Sequence, residues 1–134
     1  MSEARVSVVR SIFEAAMQDG LLAGVELIPE DVMWVPFGGT GAVLHGRADL
    51  QRFYRELEGR GGRFEPYATD FESVGDHVLV TGSARFHPGT GGFRETSLVW
   101  VFSFTGERLV REAPYSSRAD ALAAIADAER RAAA

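Results

Sequence analysis

Apolar residues recur at helical spacing near the start of the chain. One face of the segment from 5 to 18 carries Val6, Val9, Ile12, Phe13, Ala16 and Met17. The polar residues Arg10, Glu14 and Gln18 fall on the opposite face. This pattern predicts an amphipathic helix that ends at Asp19-Gly20, followed by a short second helix over residues 21 to 28.

From residue 32 onward the pattern is mainly that of strands, with one helix among them. Strands are predicted over residues 32–36, 43–45, 63–74, 77–86, 93–104 and 108–115. Between the second and third strands, residues 46–49 open a helix whose apolar stripe includes Leu50 and Leu57. Ser117 begins a final alanine-rich helix over residues 117–134, with the spacing of a capping box.

This order of elements predicts an α+β fold with a sheet that is mainly antiparallel. The segment 93–104 is apolar on both faces, because Trp100 and Phe102 alternate with Val99 and Val101. We expect helices to cover one face. A second copy of the chain is the economical cover for the other face, so a homodimer is predicted.

Composition narrows the class of protein. The 134 residues are enough for one domain, 1–134, and the net charge of −5 argues against nucleic acid as a partner. Cysteine and lysine are absent, which excludes disulfides, thiolate nucleophiles and Schiff-base chemistry. The wealth of Ala, Gly and Arg is typical of a GC-rich bacterial genome. A chain without a signal peptide or a long apolar run is expected in the cytoplasm, away from membranes.

Four segments carry a resemblance to a known family. They are residues 29–34, residues 45–54, residues 99–104 with Gly106, and Tyr115 followed by residues 118–122. In this order and spacing the chain resembles the nuclear transport factor 2-like superfamily, in particular its SnoaL-like, polyketide cyclase-like proteins. The resemblance implies a curved sheet wrapped around helices into a cone, a cystatin-like roll, with an apolar pocket at its open end. Homodimers are common in that superfamily.

The superfamily includes ketosteroid isomerases, polyketide cyclases, epoxide hydrolases, dehydratases and proteins without catalysis, so the fold alone does not decide the function. The resemblance places the base of the ketosteroid isomerases at Val35 or Pro36, their tyrosine near Ile12 or Phe13, and their second aspartate near Trp100. None of these positions holds the required polar group. We therefore exclude steroid isomerisation by that mechanism.

Other catalytic patterns are missing as well. Epoxide hydrolases of this fold use two carboxylates bridged by an arginine, but the adjacent Arg94 and Glu95 point to opposite faces of a strand. The glycine-rich residues 38–41 lack the strand-turn-helix setting of a dinucleotide loop, although they could act as a mobile lid. The three histidines show no metal-ligand spacing. We expect neither a metal nor a cofactor.

If the resemblance fixes the strand register, an aromatic cavity follows. Its predicted ligand-binding residues are Phe13, Met17, Trp34, Phe53, Tyr54, Leu57, Arg85, Trp100 and Phe102. In the same register Thr81 and Ser83 join Arg85, and Val110 joins Glu112, on the inner face of the sheet. Such a cavity would take a small apolar or aromatic molecule.

Glu112 and His45 are the candidate catalytic residues. An apolar wall would raise the pKa of Glu112 and make it a general base. The alternative is a structural ion pair between Glu112 and Arg85 or Arg111. His45 is either a base or the anchor of a loop, and Tyr54 or Arg85 would stabilise developing negative charge.

Two functions remain open at this point. The first is a cofactor-free enzyme that transfers a proton, of the isomerase, cyclase or dehydratase type. The second is a non-catalytic protein that binds a small ligand or serves as a dimeric accessory, with the cavity as mere core in the extreme case. The side of the sheet that Glu112 faces separates them, and a slip of one residue in register would reverse it.

Overall fold

The computed structural model describes residues 2–36 and 43–133. Its elements are α1 (Ser2–Asp19), α2 (Leu21–Val25), β1 (Met33–Trp34), β2 (Leu44–His45), α3 (Arg47–Gly59), β3 (Arg63–Val74), β4 (His77–His87), β5 (Arg94–Thr105), β6 (Arg108–Tyr115) and α4 (Arg118–Ala133). The predicted order of helices and strands is confirmed. The second helix ends at Val25, earlier than expected, and the glycine-rich segment 38–41 lies outside the described residues.

The strands form one curved, unclosed sheet in the order β2-β1-β6-β5-β4-β3. All neighbours are antiparallel except β1 and β6, which run parallel. The register of β3 against β4 shifts between Ala68 and Asp70, and a bulge of this kind bends a strand. Gly82 lies beside that point, where a Cβ would overlap the carbonyl oxygen of Tyr67. The α+β class and the curved sheet are therefore as predicted.

The concave face of the sheet and the first three helices enclose the main core. Helix α1 contributes Val9, Ile12 and Phe13, all of which are buried. The Phe13 ring meets the rings of Trp100 and Phe102 edge to face, with centroids 5.1 and 5.7 Å away. The apolar stripe of the first helix and the even-numbered face of β5 thus meet as the patterns predict.

Helix α4 covers the convex face of the sheet. Leu79, Val99 and Val101 pack there against Ala121 and Ile125 of that helix. This corrects the expectation that Val99 and Val101 await a second copy of the chain, because the C-terminal helix of the same chain buries them. These two residues therefore no longer support a homodimer, which stays a prediction.

The start of α4 follows the predicted capping pattern. The backbone N–H of Asp120 donates to the Ser117 hydroxyl at 3.1 Å, which satisfies one of the free donors of the first helical turn. None of the described helices is both long and apolar enough to cross a bilayer.

The register of β4 differs from the expectation. Val78, Val80 and Ala84 face the core, so Thr81, Ser83 and Arg85 lie on the convex face. The apolar residues of β4 alternate on the even positions and the hydrophobic effect turns that set inward. The assignment of Thr81, Ser83 and Arg85 to the inner face was wrong.

The register of β6 contains a second correction. The pairing of β5 with β6 shifts between Ser103 and Phe104, which pair with Arg111 and Leu109. Val110 is the extra residue of this bulge, and Leu109 takes the core position that was predicted for Val110. Glu112, beyond the bulge, keeps its predicted face beside Phe102.

Arg5 fastens the start of α1 to two turns of the sheet. Its Nε donates to the carbonyl of Gly106 at 2.8 Å, and its Nη1 donates to Asp76 Oδ1 at 3.0 Å and to the carbonyl of Gly75 at 3.4 Å. The guanidinium also lies over the ring of Phe104, with its central carbon 5.8 Å from the centroid. The Arg5 side chain is buried, and these contacts provide acceptors for its N–H donors.

Candidate functional site

An apolar cavity of about 40 Å³ lies between the first three helices and the concave face of the sheet. This volume has room for a few water molecules, so a larger ligand enters only where side chains of the wall move apart. Six of the residues singled out in the sequence line it, namely Phe13, Trp34, Tyr54, Trp100, Phe102 and Glu112. They come from α1, β1, α3, β5 and β6, so only the folded chain brings them together.

Glu112 is the ionisable carboxyl on this wall. It lies on β6 between two aromatic neighbours, because Trp34 pairs with it from β1 and Phe102 pairs with it from β5. Its side chain is only 1% exposed. Neither carboxyl oxygen has a hydrogen-bond partner among the residues that the structure describes. The predicted ion pair with Arg85 or Arg111 is therefore wrong.

Burial raises the pKa of the Glu112 carboxyl well above its usual range. The positive charge of Arg111 lowers the pKa, but this effect is the smaller one because the neighbouring side chain of a strand points to the other face. Glu112 therefore keeps its proton at pH values where an ordinary glutamate has lost it. A carboxyl of this kind can donate a proton, and once ionised it is a strong, poorly solvated base.

Tyr54 contributes a phenol to the same cavity. The residue is buried on α3, with its ring against those of Phe53 and Phe64. Burial raises the pKa of Tyr54, and Glu112, when it is ionised, raises it further. A hydrogen bond from Trp34 acts in the opposite direction, since the indole N–H donates to the phenol oxygen. The phenol therefore stays protonated, and a protonated phenol can donate its O–H to a ligand.

Three of the predicted ligand-binding residues lie near the cavity but not on its wall. Leu57 is buried in the core, and Phe53 packs against it. Met17 lies at the exposed end of α1 and lines a neighbouring groove. The hydrophobic stripe of a helix is wider than the part of it that reaches one cavity, which is why the sequence selected too many residues.

Arg85 and His45 lie elsewhere. Arg85 is on the convex face, where its Nε lies 3.5 Å from Glu95 Oε1 and its guanidinium stacks over Phe93. His45 is exposed, and its backbone N–H donates to Asp49 Oδ2 at 3.3 Å. Neither side chain joins Glu112. Within residues 2–36 and 43–133, no group of three or more His, Asp or Glu side chains could hold a metal ion.

Sequence reasoning missed part of the wall. Phe64 and Pro66 of β3, Val25 of α2 and Ile28 just after that helix are among the further residues that line the cavity. Phe64 and Pro66 alternate along β3, which is the signal that could have found them. Val25 and Ile28 are three residues apart, the spacing of neighbours on a helical turn.

The sequence matches no known family model and no curated protein. Solved structures do resemble it. A nuclear transport factor 2-like protein of unknown function from Burkholderia pseudomallei is 24% identical with a TM-score of 0.69, over 89% of this chain and 95% of that one. An epoxide hydrolase from M. tuberculosis is 16% identical with a TM-score of 0.67, over 87% and 84% of the two chains.

A third solved structure also resembles the chain. TerC, crystallised with polyporic acid, is 20% identical with a TM-score of 0.64, over 87% of this chain and 94% of that one. At these identities the structural similarity shows a shared fold, but it does not show a shared chemistry. The chain described above therefore has the nuclear transport factor 2-like fold.

Proposed function

We propose that this protein transfers a proton within a small apolar or aromatic molecule, without a cofactor, as an isomerase, cyclase or dehydratase does. One observation carries the proposal. Glu112 is buried in the wall of an apolar cavity, and its carboxyl oxygens have no hydrogen-bond partner within the described residues. A fold gains nothing from such a group, because an unsatisfied buried carboxyl costs free energy.

The chemistry follows from the placement of two groups. An ionised Glu112 takes a proton from a carbon next to a carbonyl, and the electron pair of that C–H bond moves onto the carbonyl oxygen. The Tyr54 hydroxyl then donates a hydrogen bond to this enolate oxygen. Protonated Glu112 returns its proton at another carbon, which completes an isomerisation. Return to a leaving hydroxyl would give water and complete a dehydration instead.

Names of similar structures support a ligand of this class without assigning it. TerC was crystallised with polyporic acid. A structure from Xanthomonas campestris, 15% identical with a TM-score of 0.70 over 91% of this chain and 96% of that one, is a candidate polyketide cyclase. Aromatic molecules of such kinds match the aromatic wall formed here by Trp34, Trp100 and Phe102.

A general substrate for carboxylate bases tests the proposal. 5-Nitrobenzisoxazole loses its ring C–H proton to a base, the N–O bond breaks, and a coloured cyanophenolate forms. We expect Glu112→Gln to lower this turnover by about 10²- to 10⁴-fold, because the amide cannot accept the proton. Glu107→Gln, an exposed acidic residue of the turn before β6, is the matched control and should leave the rate unchanged.

The dependence of the rate on pH gives a second readout. Because only ionised Glu112 is a base, the rate should rise as the pH passes through the raised pKa of this residue. Turnover that is equal in Glu112→Gln and the unchanged protein would refute the proposal. Saturable binding of the same compound without turnover would support the alternative function, that of a non-catalytic binding protein.

A further inference from the structure

A groove of about 170 Å³ lies directly outside the cavity, between the junction of α1 with α2 and the start of β3. Ala16, Leu21, Phe64 and Pro66 line both the groove and the cavity. Because the same four residues form part of the wall of each space, the two spaces adjoin. The groove is thus the outer continuation of the cavity.

The remaining residues of the groove are of a different kind. Met17 is exposed there, and three ionisable residues, Glu58, Arg63 and Glu65, line it. Arg63 Nε lies 3.4 Å from Glu65 Oε2, so the charge of the arginine is already balanced by that carboxylate. Glu58 enters no ion pair within the described chain.

The charge of the groove follows from these positions. Glu58 lies in the last turn of α3, where the negative end of the helix dipole adds to its charge. The carboxylate of Glu65 is engaged by Arg63 and by His87, whose Nε2 lies 2.9 Å from Glu65 Oε1, so Glu58 is the groove carboxylate that enters no ion pair within the described chain. A hydroxyl or an ammonium group would donate a hydrogen bond to Glu58, whereas another carboxylate would be repelled.

We propose that this groove is the entrance to the cavity and the outer half of the ligand site. The ligand is elongated, with an apolar ring among the aromatic residues of the cavity and a hydroxyl or ammonium end in the groove. This inference rests on the proposed function, since it concerns the ligand of the same cavity. It adds the route of entry and the chemical class of the far end of the ligand.

The absence of cysteine from the chain allows a clean test of the entrance. Met17→Cys places a single thiol in the groove, and N-cyclohexylmaleimide attached to it would obstruct the opening. Val8→Cys is the matched control, because residues 8 and 17 both lie on α1 and are 38% and 42% exposed. Val8 lines neither the groove nor the cavity.

The two tryptophans of the chain, Trp34 and Trp100, both line the cavity and report arrival of a probe. Nitrobenzene, a small uncharged quencher of tryptophan fluorescence, is that probe. We expect the label at position 17 to lower the association rate by about tenfold or more, and the label at position 8 to change it by less than about twofold. Equal rates for the two labelled proteins would refute the proposal that the groove is the entrance to the cavity.

The outcome separates this inference from the proposed function. If nitrobenzene shows no saturable quenching in the unlabelled protein, the cavity takes no ligand and both ideas fail. If the label slows entry while Glu112→Gln does not change turnover, the entrance stands and proton transfer is refuted.

Three phenyl compounds that differ only at the far end test the outer subsite. 4-Phenylbutylamine and 4-phenylbutanol should bind about fivefold more tightly than 4-phenylbutyrate at low salt. Glu58→Gln should reduce the preference for the amine over the butyrate by about threefold, because one negative charge leaves the groove. Glu56→Gln, an exposed residue of the same helix outside the groove, should not. Equal affinities for all three compounds would refute the proposal that the groove selects the far end of the ligand.

Discussion

Arg5 and Glu112 are both buried ionisable residues, yet their surroundings are opposite. Arg5 is 7% exposed and donates to Gly106, Gly75 and Asp76, three residues in two turns of the sheet. Glu112 is 1% exposed and has no hydrogen-bond partner in the described part of the chain. The first residue joins distant parts of the fold through its charge, and the second is buried without such contacts.

This difference shows which buried charge stabilises the fold. A buried polar group repays its desolvation only through hydrogen bonds. Arg5 has these bonds, and they link α1 to turns about 70 to 100 residues later in the chain. Glu112 has a cavity beside it instead. A group that weakens the folded state and faces an apolar cavity is a candidate functional residue.

The largest expected effect on stability comes from removing the Arg5 side chain. Arg5→Ala should lower the free energy of unfolding by about 2–3 kcal/mol, because two turns of the sheet lose their hydrogen bonds to α1. Urea denaturation measures this change. Arg55→Ala, an exposed arginine of α3, is the control and should stay within about 0.5 kcal/mol of the unchanged protein. Similar losses in the two variants would mean that the Arg5 contacts do not stabilise the fold.

Glu112→Gln should have the opposite sign and a smaller size. Near pH 8 we expect the free energy of unfolding to rise by about 1–2 kcal/mol, or about 3 °C or more in Tm. The reason is that the unfolded chain gains by ionising Glu112, whereas burial opposes ionisation in the folded chain.

The dependence of this gain on pH checks its cause. Because the folded pKa of Glu112 is raised, the cost that comes from its ionisation is absent below the unfolded pKa and grows as the pH rises toward the folded pKa. The gain in Glu112→Gln should therefore shrink toward zero near pH 4. A loss of stability near pH 8 would show that Glu112 has a structural partner after all. Glu107→Gln provides the baseline for an exposed residue.

The smallest expected effect is that of His77 on the pH dependence of stability. His77 follows Asp76, which Arg5 contacts. Its Nδ1 lies 2.8 Å from the Ser103 hydroxyl. Burial lowers the pKa of His77, and Arg5 adds to this, whereas Glu129 and Asp76 raise the pKa. The neutral ring therefore contributes stability above the unfolded pKa of 6.5, and this contribution is lost as the pH falls toward the folded value.

Between pH 7 and pH 5 we expect a loss of less than about 1 kcal/mol from His77. His77→Gln should flatten the corresponding slope in thermal unfolding measured against pH. An unchanged slope in His77→Gln would assign the pH dependence to another group.

Much of this structure could be predicted from local pattern. The helical spacing of Val9, Ile12 and Phe13 and the alternation of Trp100 and Phe102 fixed which faces meet, because burial of apolar surface dominates folding. The register implied by the family resemblance put Glu112 on the face of Phe102. That position holds because the bulge lies before Glu112.

The errors arose where pairing between distant segments decides the outcome. The register taken from the family resemblance placed Arg85 inward, although Val78, Val80 and Ala84 set the inner face of β4. Val110 lost its core position to Leu109 because a bulge adds one residue to β6. Neither a bulge nor a strand's partner is visible in a local sequence window.

The sequence by itself therefore determined the order of the elements, the apolar faces and the one carboxyl suited to an apolar cavity. Each of these depends on neighbours within a helix or a strand, where the period of the side chains is fixed. The tertiary structure decided that α4 covers Val99 and Val101, that Arg85 faces outward, and that Glu112 meets Tyr54 across the cavity. These contacts join segments far apart in sequence, and only the packing of the whole chain sets the distances between them.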